Sequence, residues 1–235
     1  MTRCKFLPLI AVLVGFAALA HGGLKGGKAA YERDDYAGAY KEFKPLADKG
    51  LAEAQYFLGL MYQAGHGVPQ DYAEAVKWFR RAAELGNDEA QFELGWAYVD
   101  GKGVPQDYAE AVKWFRRAAD RGFPPAQREL AGLYAIGQGV PQDDTEAVKW
   151  YRKAAEQGDD RAQFELGWAY ADGKSVPQDF VQAYMWFDLA AAHEDDTYAE
   201  DYGKDFRDSL AEKMTPAQLA EAKRLVRKWK AKDRN

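Results

Sequence analysis

The chain has 235 residues, of which 29% are charged, and its formal net charge is −5. An acidic surface repels the phosphate backbone, so this balance argues against a nucleic-acid partner. A single cysteine, Cys4, excludes a framework of intrachain disulfides.

The first 20 residues have the pattern of a secretory signal peptide. Arg3 and Lys5 precede an apolar run from Phe6 to Ala20 that ends in small residues. A retained membrane anchor is the alternative, but the run is shorter than the roughly 20 residues that a bilayer requires. We expect cleavage after Ala20, which removes two positive charges from the net −5 and leaves −7. The sequence therefore predicts an exported protein, periplasmic or secreted, with no membrane span after cleavage.

Residues 21–50 carry two short apolar segments, predicted as helices over Lys28–Glu32 and Tyr36–Asp48. They lack the loop motif of the repeats that follow. A stack of repeats needs an atypical end that shields its last apolar face. We interpret this pair as an N-terminal cap.

Residues 51–194 contain four copies of a 36-residue unit. The segment QDYAEAVKWFRRAA at 70–83 recurs letter for letter at 106–119, and looser copies follow. A fixed period of this length predicts stacked supersecondary units that bury their apolar faces against their neighbours. The four repeats are 51–86, 87–122, 123–158 and 159–194.

Each repeat is predicted to fold as helix, loop and helix. In the second repeat Ala90, Leu94 and Tyr98 fall on one face of the first helix. Gly95 beside them indicates a close helix approach, because a mid-helix glycine costs about 1 kcal/mol relative to alanine. The following loop has a glycine C-cap and a proline, and Asp107 begins the second helix with a capping box.

Three motifs recur through these copies. They are Ala-x-x-x-Leu-Gly-x-x-Tyr-x-x-Gly in the first helix, Gly-Val-Pro-Gln-Asp in the loop, and Ala-x-x-Trp-Phe/Tyr-x-x-Ala-Ala in the second helix. The pattern resembles the Sel1-like repeat family, relatives of the tetratricopeptide repeat. The resemblance implies an all-α fold, a right-handed α-solenoid of helix-turn-helix repeats, and adaptor work between proteins in the bacterial envelope. Ser175 in place of Gly103, and Ala131 in place of Gly95, are departures expected to alter one loop and one helix contact.

Residues 195–235 are predicted to form C-terminal capping helices. The first covers Thr197–Lys213, and Thr215 caps the second with Pro216 at its first position and Gln218 closing a capping box.

No catalytic or metal-binding constellation is apparent. The three histidines, His21, His66 and His193, have no spacing typical of metal ligands. Ser175 and Ser209 do not stand in a Gly-x-Ser-x-Gly elbow. Paired aspartates fall at predicted helix starts, where the helix dipole favours them. We expect a protein that is not an enzyme and has no cofactor or metal; a hydrolase is a less favoured alternative.

The predicted partner-binding surface is the wall of first helices, which the family resemblance implies is concave and contacts ligands. Trp96 and Trp168 are the expected anchors, because aromatic side chains are enriched at interfaces. The alternative is that their rings pack against the next repeat, and Gly132 between them is expected to leave a recess. The full predicted set is Tyr56, Leu60, Glu89, Phe92, Trp96, Asp100, Arg128, Phe164, Trp168 and Asp172.

Acidic residues on this wall favour a partner with basic and apolar groups, such as a protein segment or an extended peptide. A glycan or cell-wall polysaccharide is the alternative partner, since exposed aromatic rings beside carboxylates also suit sugars. Polar terminal caps lead us to expect a monomer.

Overall fold

The computed structural model describes residues 22–192 and 197–232. The predicted signal peptide, His21 and His193 lie outside these ranges. Every regular element in the described ranges is an α-helix. The first, α1, is described over residues 22–31. The others are α2 (Tyr36–Asp48), α3 (Ala52–Ala64), α4 (Tyr72–Glu84), α5 (Asp88–Asp100), α6 (Tyr108–Asp120), α7 (Pro124–Ile136), α8 (Asp144–Ala155), α9 (Asp160–Asp172), α10 (Phe180–Ala190), α11 (Thr197–Ala211) and α12 (Pro216–Lys232).

The chain forms an all-α solenoid of helix-turn-helix repeats, which confirms the expected fold class. It divides into two compact units, one up to Asp107 and one from Tyr108 onward. None of the described helices is long and apolar enough to span a membrane.

In unit 1, which ends at Asp107, each helix from α2 to α5 packs on the next. Phe43, Leu58, Met61 and Trp78 form the centre of its core. The helix α1 includes residues before the predicted Lys28, and it lies close to α2 at Gly27. A β-carbon at Gly27 would lie 2.4 Å from the ring of Phe43.

In unit 2, which begins at Tyr108, the helices from α6 to α10 pack in sequence. Both terminal helices, α11 and α12, pack on α10, and α11 also contacts α9. Phe164, Phe187 and Leu210 belong to one core cluster at this end. The terminal helices therefore cover apolar surface that the last repeat would otherwise expose.

Two of the mid-helix glycines, Gly59 and Gly167, lie where a neighbouring aromatic ring leaves no room for a side chain. A β-carbon would lie 2.4 Å from Phe79 at Gly59 and 2.8 Å from Phe187 at Gly167. This confirms the close helix approach expected from the sequence.

The helix ends follow the predicted signals with one difference. Asp71, Asp143 and Asp179 accept hydrogen bonds from backbone N–H groups in the first turn of their helices. The expected reciprocal bond is replaced, because the Asp71 N–H donates to the Tyr62 carbonyl and Glu74 pairs with Lys77. The complete capping box forms at the start of α12, where Thr215 and Gln218 bond to each other's backbone N–H groups.

The loop glycines that end the first helices adopt left-handed backbone with φ between +69° and +76°. They are Gly65, Gly101, Gly137 and Gly173. Further along the loop, Gly103 and Gly139 have φ of +76° and +72°, whereas Ser175 does not adopt positive φ. The fourth loop therefore differs where serine replaces glycine, as expected.

A buried glutamine ties each first helix to the second helix before it. Each side chain donates from Nε2 to a helix carbonyl eight residues earlier, at 3.0 to 3.2 Å. The pairs are Gln55 with Ala47, Gln91 with Ala83, Gln127 with Ala119, and Gln163 with Ala155. This role of the glutamines was not predicted from the sequence.

Candidate partner-binding clefts

Two clefts occupy equivalent positions in the two units. The unit 1 cleft lies among α3, α4 and α5 and has a volume of about 30 Å³. The unit 2 cleft lies among α7, α8, α9 and the loop after α9, and its volume is about 170 Å³. Both contain a glutamate, a tryptophan and an aspartate from one first helix. These are Glu93, Trp96 and Asp100 in unit 1, and Glu165, Trp168 and Asp172 in unit 2.

Trp168 is one wall of the unit 2 cleft and is also packed from one side. Its side chain is 39% exposed, the largest exposure of a tryptophan in the described chain. Its ring meets Phe206 of α11 edge-on, with ring centroids 4.5 Å apart. Trp168 is therefore packed against α11 on one side and exposed at the cleft on the other.

Glu165 lines the unit 2 cleft and is half-buried. Burial raises the pKa of its carboxyl above the ordinary value. In the described part of the chain its side chain makes no hydrogen bond and no ion pair. Tyr151 lies close enough for the Glu165 charge to contribute to raising the pKa of its phenol, although burial of Tyr151 is the larger cause.

Glu93, the equivalent residue in unit 1, has a partner. Its Oε2 accepts a hydrogen bond from Gln63 Nε2 at 3.3 Å. Burial raises the pKa of Glu93, and this hydrogen bond opposes the effect. Trp96 is half-buried beside it and lies 6.4 Å from the ring of Phe92.

A third glutamate, Glu129, occupies the same position in the third repeat. Burial raises the pKa of its carboxyl, and the guanidinium of Arg128, 2.9 Å away, acts against it. Gly132 takes the place of the tryptophan. A β-carbon there would contact only the hydroxyl of Tyr151, at 3.7 Å, so the expected recess is open to that extent.

These three glutamates were not predicted as site residues, although the sequence contains a signal for them. Each precedes the core leucine of the first-helix motif at a spacing of 36 residues. A charged residue that recurs next to a buried leucine at the repeat spacing is expected to have the same surroundings in each repeat.

The aspartates at the rims are paired with lysines of the following loops. Asp100 lies 2.8 Å from Lys102, and Asp172 lies 2.9 Å from Lys174. Both pairs are exposed, so each contributes little to stability. Replacing either lysine by a positively charged group of a partner would therefore cost little free energy.

The remaining predicted residues are not gathered into one site. Tyr56 and Glu89 line a separate cleft of about 550 Å³ in unit 1. Burial, with smaller effects from Glu93 and Glu89, raises the pKa of Tyr56 to about 12. Leu60 is half-buried on α3, and Arg128 is held by Glu129 and by Asp159.

Phe164 does not lie on an accessible wall. It is 3% exposed, and its ring packs against Phe187 and Phe206. The physical reason is α11, which folds onto α9 and covers this position. Phe164 supports the aromatic cluster around Trp168 and is not positioned to contact a partner.

The histidine and the two serines weighed as catalytic candidates lie apart from one another or make packing contacts. Nδ1 of His66 lies 3.0 Å from the Tyr31 hydroxyl, and its ring stacks on Tyr36. Ser175 lines the unit 2 cleft, and Ser209 lines a different pocket. Within the described ranges, no group of three or more metal-ligating side chains occurs.

The chain is similar to known repeat proteins. The Sel1 repeat family model matches residues 52–87, 88–123, 124–159 and 160–195. A Sel1 repeat protein from Oxalobacter formigenes is 33% identical, with 76% of this chain and 73% of that chain covered and a TM-score of 0.69. A putative Sel1 repeat protein from Klebsiella pneumoniae subsp. pneumoniae is 19% identical over 82% of this chain and 93% of that chain, with a TM-score of 0.52. The latter likeness is one of fold. No curated protein matches the chain.

Proposed function

Because the chain belongs to the Sel1 repeat family, whose members are generally protein-interaction scaffolds, we propose that it is a non-catalytic scaffold that binds an extended segment of another protein. Binding takes place at the clefts along the first helices. The observation that carries the proposal is the Glu, Trp and Asp set that recurs two repeats apart, in a cleft of each unit.

The composition of the clefts suits a peptide better than a small apolar ligand. An aromatic wall supplies buried contact area, and the carboxylates select a partner of opposite charge. Helical repeats present equivalent positions at a regular spacing along the sequence.

We further propose that the protein acts in the bacterial envelope, as a periplasmic or secreted protein. The basic and apolar leader over residues 1–20 supports this. Mass determination of the protein from a periplasmic extract is expected to give a chain that begins at His21. A full-length chain recovered from the cytoplasm would contradict the proposal.

The binding surface is tested with a photo-reactive residue placed at Trp168 or Trp96, and at Lys149 as a control. Lys149 is on the exposed side of α8 and does not line the described clefts. We expect a cross-linked protein partner from the two cleft positions and not from the control. The partner is then purified, and calorimetry is expected to show weaker binding to Trp168→Ala than to Lys149→Ala.

Two results would contradict the peptide-binding function. Equal cross-linking from the control would show that the clefts are not the binding surface. Calorimetric binding of cell-wall glycan fragments that is lost in Trp168→Ala, without binding of any peptide, would support a glycan-binding protein. Circular dichroism of each variant checks that the helices are retained.

A further inference from the structure

The unit 2 cleft holds a carboxylate whose partner is missing from the described chain. Glu165 is half-buried and carries no hydrogen bond and no ion pair there. A partly desolvated carboxylate without a donor is unfavourable, so proteins generally supply it with one. A donor from another molecule would remove this cost.

The equivalent cleft in unit 1 shows what such a donor does. There Gln63 reaches across from α3, donates to Glu93, and fills the space in front of it. In unit 2 the position of Gln63 is taken by Ala135, which has no donor and a short side chain. Asp144 replaces the larger Tyr72 at the other edge.

The cleft that contains Gln63 and Tyr72 has a volume of about 30 Å³, whereas the cleft that contains Ala135 and Asp144 has a volume of about 170 Å³. The unit 1 cleft is therefore closed by the chain's own side chain. The unit 2 cleft is open in front of an equivalent carboxylate.

The lining of the unit 2 cleft indicates the chemistry of its ligand. Ala147, Val148 and Ala169 provide apolar contact, and Trp168 provides an aromatic face. Asp144 and Asp172 add negative charge at the edges. A basic side chain matches this combination, because its alkyl stem packs on apolar surface while its charged end meets carboxylates and aromatic rings.

We propose that the unit 2 cleft binds one lysine or arginine side chain of the partner, with Glu165 accepting hydrogen bonds from its charged end. The inference rests on the proposed function, since the side chain is part of the bound segment. It assigns Glu165 as the residue that selects for charge and Ala135 as the residue that keeps the cleft open. The unit 1 cleft does not take a basic side chain while Gln63 occupies it.

The experiment uses libraries of short synthetic peptides with degenerate flanks. The central residue is lysine or arginine in two libraries, and their uncharged analogues norleucine and citrulline in two more. Binding to the immobilised mature protein is measured by surface plasmon resonance. We expect the basic libraries to bind about tenfold more tightly than the matched neutral ones.

Two variants isolate the cleft. Ala135→Gln places in unit 2 the side chain that unit 1 carries at the equivalent position, and Glu165→Gln removes the charge without changing the shape. Both are expected to reduce binding of the basic libraries by about tenfold and to leave the neutral libraries unchanged. Gln63→Ala is the matched control in unit 1 and is expected to leave the preference for basic peptides intact.

The outcomes separate this inference from the scaffold function. Peptide binding with no preference for lysine or arginine, or with a preference that survives Ala135→Gln in a folded variant, overturns the inference and leaves the scaffold function standing. Failure of every library to bind, basic and neutral alike, counts against the scaffold function itself. A preference for lysine over arginine, or the reverse, identifies which charged group the cleft takes.

Discussion

Because first and second helices pack closely, replacement of glycine by alanine is expected to change stability differently at two sites. Gly132 and Gly167 are both mid-helix glycines in unit 2, on α7 and α9. A β-carbon at Gly132 would contact only the Tyr151 hydroxyl, at 3.7 Å. At Gly167 it would lie 2.8 Å from Cδ1 of the buried ring of Phe187.

The magnitude follows from two opposing effects. Replacing a helical glycine by alanine stabilises a protein by about 1 kcal/mol when space is free, so Gly132→Ala is expected to gain that amount. Gly167→Ala receives the same gain but forces Phe187 or the helix to move, which costs about 1 to 3 kcal/mol. Because the helix-propensity effect is common to both variants, their difference isolates the packing cost.

Urea unfolding of both variants and the wild type, followed by circular dichroism, measures the difference. We expect Gly132→Ala to unfold at a higher midpoint than Gly167→Ala, with a gap of about 1 to 3 kcal/mol. Gly59→Ala, with a contact of 2.4 Å to Phe79, is expected to be at least as damaging as Gly167→Ala. Equal stabilisation at Gly132 and Gly167 would refute the claim that glycine is required for close helix approach.

Three further predictions concern burial, hydrogen bonds and backbone. Burial raises the pKa of Glu165, so its ionised form is disfavoured in the folded state and wild-type stability falls as pH rises through that pKa. In thermal unfolding, Glu165→Gln is expected to be more stable than the wild type by about 1 kcal/mol near neutral pH. This difference should vanish below about pH 4, and a difference that stays constant with pH would contradict the prediction. Gln127→Leu loses hydrogen bonds to the Ala119 carbonyl and to Gln157, whereas the Oε1 of Gln163 has no partner in the described chain. In urea unfolding, Gln127→Leu should therefore lower the free energy of unfolding by about 1 kcal/mol more than Gln163→Leu does. Gly139→Ala places a β-carbon 2.3 Å from the Tyr108 carbonyl at φ +72°, and is expected to cost more than about 2 kcal/mol in the same assay, whereas Ser175→Ala should be nearly neutral.

The helical architecture could be predicted because its signals are local and repeated. The glycine ends of the first helices, the aspartate caps and the buried tryptophans all lie where the 36-residue period places them. Each depends on residues a few positions apart or on identical neighbours. The reciprocal capping bonds predicted at the second helices of the repeats do not form, because backbone carbonyls such as that of Tyr62 accept from the same N–H groups, whereas the box predicted at Thr215 and Gln218 does form.

The candidate site could be predicted only in part. The helical register points to Trp96, Trp168 and both aspartates, and all four line a cleft. The register also points to Phe164, which α11 buries. Periodicity predicts the same exposed first-helix surface in every repeat, whereas a terminal helix covers that surface only in the repeat on which it packs.

The sequence by itself determined the repeat period, the helix–loop–helix pattern and the helix ends, since these follow from backbone preferences and from apolar spacing along the chain. Only the tertiary structure decided which of the repeated glutamates keeps a donor. Gln63 and Glu93 are 30 residues apart and meet because α3 and α5 flank one cleft, while Ala135 leaves Glu165 without such a contact. The side chain on the neighbouring helix, glutamine in one unit and alanine in the other, thus decides whether the glutamate has a donor, and no local pattern contains that information.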